Sequence, residues 1–71
     1  MADEKELKEL LELVDSLPEM EKKVIRLRYG LDDNKPKTLL EVGNELGITR
    51  ERVRQLEEKA IKRLREANKK D

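Results

Sequence analysis

Five side chains in the stretch TRERVRQLEEKA, residues 49–60, have the chemistry of base recognition: Arg50, Glu51, Arg52, Arg54 and Gln55. An arginine guanidinium grips guanine O6 and N7 with two hydrogen bonds. A glutamine amide does the same to adenine N6 and N7, and a glutamate accepts from cytosine N4. A binder relying on charge alone has no use for Glu51, because phosphates repel a carboxylate. Glutamate among arginines points to a base contact or to a clamp that orients an arginine. An intrahelical ion pair, Glu51 with Arg54, would use the same spacing, and a solvated helix face is the plainer alternative.

These side chains can act together only if one helix presents them. At about 100° per residue, Val53, Leu56, Ala60 and Leu64 gather on one face. Glu51, Arg54, Gln55, Glu58 and Lys62 then face outward, with Thr49 and Arg50 at the amino end. That end of a recognition helix enters the major groove deepest. Thr49 is placed to cap this helix, which is expected to reach about Ala67.

The preceding residues complete a plan. Thr38 with Glu41 is a capping box opening a short helix over about 39–46, closed by Gly47. Helix, short turn, longer helix is the helix-turn-helix arrangement. Gly43 is small where the two helices approach, and Val42, Leu46, Ile48, Val53 and Leu56 supply the apolar seal. An ordinary helical hairpin without a ligand remains the alternative on spacing alone.

Upstream, Leu7, Leu10, Leu11, Val14 and Leu17 form one helical stripe, predicting a helix over about 4–14. Ser16 with Glu19 reads as a further capping box, with Pro18 tolerated in the first turn. The second helix runs to about Tyr29, with Met20, Val24, Ile25 and Leu27 apolar and Gly30 as its left-handed stop. Residues 31–37 form a loop in which Asn34 can take positive φ. The tail, 67–71, is expected to fray. The fold class is therefore all-α: a small four-helix domain with a carboxy-terminal helix-turn-helix.

Composition bounds the function. The chain has 71 residues, enough for one domain with a modest aliphatic core, since Tyr29 is its sole aromatic residue. Cysteine and histidine are both absent, which removes thiolate metal sites, disulfides and the commonest general base. Nothing organises the carboxylates into an active site, so an enzyme is not expected and no cofactor is implied. No apolar run approaches the roughly 18 residues of a membrane span, and the start does not resemble a signal peptide. A cytoplasmic setting is expected. Net charge is zero, yet its distribution is uneven: residues 1–21 hold eight acids and two bases, a net of −6, and the remainder balances this at +6. A local positive field does not need an overall excess. Arg28, Lys37, Thr38 and Arg52, with the amides opening the third helix, are candidate phosphate ligands. Lys22, Lys23 and Lys35 read as solvated.

Together, SLPEMEKKVIRLRYGL, KTLLEVGNELGITRE and TRERVRQLEEKAIKRLR resemble region 4, the carboxy-terminal domain of primary bacterial sigma factors, over about residues 12–66. That family domain is all-helical and binds the promoter −35 element, TTGACA in consensus, while attached to RNA polymerase. The resemblance implies base reading by Arg50, Glu51, Arg54 and Gln55. Arg28, Leu39, Thr49 and Arg52 match positions near phosphates, and Lys59, Lys62, Arg63 and Arg65 a basic patch touched by transcription activators. It also implies docking on the flap tip of the polymerase β-subunit through an apolar groove, for which Leu10, Leu13, Leu17 and Ile25 are candidates, each equally suited to the core. Anti-sigma proteins are further implied partners. The implied location is with the nucleoid, and the isolated domain is expected to be a monomer.

Two departures stand out. Leu40 occupies a position where the family usually has glutamate, and the regular Glu-, Lys- and Leu-rich opening fits an excised or engineered domain. The −10-reading domain is not contained here, so these residues alone are not expected to direct promoter opening. Two alternatives differ in class. One is a protein-interaction module for the flap, activators or anti-sigma proteins. The other is the helix-turn-helix domain of a response regulator, which would pair as a dimer on palindromes.

Overall fold

The computed structural model describes residues 4–68. Four helices follow in order: α1, Glu4–Asp15; α2, Glu19–Arg28; α3, Leu39–Leu46; and α4, Arg50–Asn68. Helix α4 therefore includes residues 67 and 68 of the expected frayed tail, and residues 69–71 lie outside the described residues.

Helix α4 is the spine, because its apolar face seals two adjoining cores. Val53 and Leu56 pack with Val24 and Val42, joined at the margin by Leu27, Leu39, Leu46 and Ile48. One turn on, Ala60 packs with Val14, Leu17 and Ile25, flanked by Ile61 and Leu64. The neighbours Val24 and Ile25 thus point into different cores. Neighbouring helical side chains diverge by about 100°, so a helix wedged between partners can serve two adjoining cores. Full burial of each such side chain contributes about 1.5–3 kcal/mol.

The turn chemistry follows the sequence at most boundaries. The Thr38 hydroxyl accepts from the Glu41 amide at 3.1 Å, and the Glu41 carboxylate accepts from the Thr38 amide at 2.8 Å, a complete capping box. Gly47 closes α3 with φ 73°, Gly30 follows α2 with φ 61°, and Asn34 takes φ 58°. Gly43 matters for a different reason. A Cβ there would lie 2.7 Å from the Ile48 carbonyl oxygen, so only glycine lets the turn fold back onto α3.

One expectation fails. Ser16 does not cap α2: Pro18 is the N-cap residue and makes no side-chain cap bond. The Ser16 hydroxyl instead donates to the Leu13 carbonyl at 2.7 Å, serving the end of α1. Burial of Leu17 sets where the chain turns, and that shifts the helix start past Ser16. The α1 stripe enters the core only at its end. Val14 is buried, while Leu7, Leu10 and Leu11 are exposed.

Candidate nucleic-acid interface

The leading end of α4 is built by local hydrogen bonding. Ile48 donates its amide to the Gly43 carbonyl at 2.9 Å, drawing the turn onto α3. The Thr49 hydroxyl then accepts from the Arg52 amide at 3.1 Å and caps α4. With Val53 fully buried, the flanking side chains must point out, and Arg50, Glu51, Arg52, Arg54 and Gln55 are all exposed.

These five are not equivalent. Arg50 has no side-chain partner among the described residues. Arg54 donates from Nε and Nη2 to Glu51 at 3.0 and 2.8 Å, and from Nη1 to Glu58 at 3.3 Å. The intrahelical pair weighed from the sequence is therefore formed. The hydrogen bond from Arg54 holds the Glu51 carboxyl below its ordinary value, and the two carboxylates push the Arg54 guanidinium further up. Arg52 leans on Gln55, Nη1 to Oε1 at 3.5 Å.

The residues expected near phosphates divide. Arg52 is exposed, as are Thr38 and Thr49, but both threonine hydroxyls are already used in caps. Lys37 is half-buried and paired with Asp33 at 3.3 Å. Leu39 is half-buried at the margin of the core. Arg28 departs most from expectation. Its guanidinium donates to the Lys37 carbonyl at 2.7 Å and pairs with Glu57 of α4 at 3.3 Å, so it straps the α2–α3 loop onto α4. The Tyr29 hydroxyl donates to the same Glu57 at 3.0 Å. Burial, then that hydrogen bond to a carboxylate, push the Tyr29 phenol up. The opening amides of α3 are also less free than expected, since the Glu41 amide is taken by Thr38 and a carboxylate lies across the Thr38 amide.

Farther along α4, Lys59, Lys62 and Arg65 line one shallow, open hollow beside Arg54. Arg63 does not line it but shares a neighbouring hollow with Lys59, Lys62 and Glu66, and donates from Nε to Glu21 at 2.8 Å. Glu21 is only 5% exposed, a burial the sequence reading missed. Its position three and four residues before Val24 and Ile25 was the available signal.

The four flap candidates do not share one site. Leu17 and Ile25 are buried core residues. Leu13 lines a hollow with Leu17, Pro18 and Leu64 at the far end of α4. Leu10 lies in a separate apolar groove together with Leu7, Leu11, Tyr29 and Leu31, over a floor of Val14, Ile25, Ile61 and Leu64. Of the named four, that groove contains Leu10 and Ile25. Among the described residues no cluster of acidic side chains is arranged to hold a metal ion, and no helix is long and apolar enough to cross a membrane.

A family model described as sigma-70, region 4 matches residues 13–66. The chain is similar to the RNA polymerase sigma factor SigA of a Bacillus species, with 57% identity over 60 residues, which is 83% of this chain and 16% of that protein. It is also similar to the RNA polymerase sigma factor SigA of Clostridium acetobutylicum, with 53% identity over 57 residues, covering 80% of this chain and 15% of the relative. The chain thus spans about one-sixth of each relative's length. With its helix-turn-helix geometry and a match over most of its residues, the chain belongs to the sigma-70 region 4 family.

Proposed function

We propose that this domain reads a TTGACA-like −35 promoter element in the major groove as part of a sigma factor bound to RNA polymerase, supporting transcription initiation. One observation carries the reading: the capped leading turn of α4 holds Arg50, Glu51, Arg54 and Gln55 outward from a helix-turn-helix sealed by Val42 and Val53. Arg50 is the unpartnered base reader, and Arg52 is the best exposed candidate for a phosphate. Arg28 acts by holding the α2–α3 loop rather than by touching DNA. The setting is cytoplasmic, at the nucleoid, and the isolated domain is a monomer.

A second role on the same domain is favoured by the apolar groove between α1, α2 and α4. It suits an apolar helix such as the β flap tip, with Leu7, Leu10, Leu11, Tyr29 and Leu31 as its rim. Lys59, Lys62 and Arg65 suit acidic surfaces of activators, and anti-sigma proteins would compete for either face. Arg63 is the weakest member of that set, because Glu21 already holds it.

A binding titration with −35 duplex, with a flap-tip helix peptide, and with both together tests the two roles. The DNA reading requires preference for TTGACA over a scrambled duplex. Arg50→Ala should weaken cognate binding by about 1–3 kcal/mol and relax preference at one base pair. Equal losses on both duplexes would make Arg50 a phosphate ligand instead. Peptide binding without duplex preference would leave only the interaction role.

A further inference from the structure

The guanidinium of Arg54 lies between two carboxylates, Glu51 one turn before it and Glu58 one turn after. We propose that Glu58 is a positioning residue for base recognition: with Glu51 it clamps Arg54 so that the remaining guanidinium donors address a base edge and are withheld from phosphates. This rests on the DNA-reading function above.

The donor inventory supports it. A guanidinium has five N–H donors. Nε–H and one N–H from each terminal nitrogen are engaged by Glu51 and Glu58. One N–H is left on each terminal nitrogen, the pair an arginine needs for guanine O6 and N7. An untethered arginine samples many rotamers and meets the duplex backbone as readily as a base. Two carboxylates around one guanidinium also leave a local net negative charge, which phosphates repel. The clamp therefore favours the one contact in which direction matters over those in which charge alone suffices.

Stability does not explain the arrangement. The Arg54 side chain is 49% exposed and that of Glu58 75% exposed, a surface pair one helical turn apart. Such pairs contribute little to folding. Among the described residues Arg54 is the partner Glu58 has, and Lys62, one turn further, is not tied to it.

The test uses the intact chain as wild type, Glu58→Ala, Arg54→Ala and the double variant. Each is titrated with a TTGACA duplex and a scrambled duplex at several salt concentrations. Glu58→Ala should raise affinity for scrambled DNA by roughly two- to fivefold more than for the cognate duplex. The slope of log affinity against log salt on scrambled DNA should steepen by about 0.9, the signature of one added phosphate contact. In the Arg54→Ala background, Glu58→Ala should leave the cognate-to-scrambled ratio unchanged. Equal gains on both duplexes would show simple repulsion and overturn the positioning role, as would no change at all. A separate readout needs no DNA: the Arg54 Nη1 protons, one of which Glu58 accepts, should be slower to exchange in wild type than in Glu58→Ala. Equal exchange would remove the clamp whether or not the domain reads DNA, whereas slow exchange with no duplex preference would sink the DNA reading alone.

Discussion

Helix α1 and the α3–α4 pair both carry apolar residues at helical spacing, yet they use them differently. In α3–α4 the periodic positions Val42 and Val53 are fully buried, Gly43 permits a backbone contact a methyl group would block, and both helix starts are capped. In α1 only Val14 of the four stripe residues is buried, and Leu7 is 52% exposed. The first region is closed on itself and presents polar chemistry. The second is left open and presents apolar surface, the surface that the proposed docking role would use. An amphipathic stripe thus marks one face of a helix, without saying whether the same chain covers it.

The contrast can be broken most sharply at Val53. Val53→Ala should lower unfolding stability by about 2–3 kcal/mol, because it opens a cavity where α2, α3 and α4 meet. A urea denaturation midpoint close to wild type would mean that the pair is not the closed core described here. Removing the α3 cap should cost less: Thr38→Ala is expected to lose about 1 kcal/mol by the same measurement.

Acid acts on that cap too. The Thr38 amide, and secondarily its hydroxyl, hold the Glu41 carboxyl below its ordinary value. A group depressed on folding stabilises above its unfolded value, near about 4.3 for glutamate, and the stabilisation disappears as pH falls through the depressed folded value. Thermal melts between about pH 6 and pH 2 should therefore show wild type losing stability below about pH 4. The loss should be shallower in Glu41→Gln, and parallel curves would remove the capping carboxylate from the account.

The smallest effect is expected in α1. Leu7→Ser should change stability by no more than about 0.5 kcal/mol, because the side chain is mostly in water already. The same variant should weaken binding of a flap-tip helix peptide. A large loss of stability would show that α1 is part of the core and erase the contrast.

Much of this was legible in the chain because the signals were short-range. Thr38 with Glu41, Gly47, Thr49 and Asn34 act within a few residues of themselves, so the sequence contains both partners of each interaction. The same logic misled at Ser16, where the spacing to Glu19 was right. Burial of Leu17 moved the helix start and left the hydroxyl to the Leu13 carbonyl. The burial of Glu21 went unread because its partner, Arg63, is far along the chain. The tie between Arg28, a candidate phosphate ligand, and Glu57 was out of sight for the same reason.

The sequence by itself determined the four helices, the helix-turn-helix and the outward face of α4, since helical periodicity and capping depend on neighbours within one or two turns. Only the tertiary structure decided which arginines remain free and which leucines find a core. Those outcomes depend on distant segments competing for the same guanidinium or the same limited interior. Arg50 stays open while Arg28 and Arg63 are tied down, and Val14 is buried while Leu7 is left to the solvent.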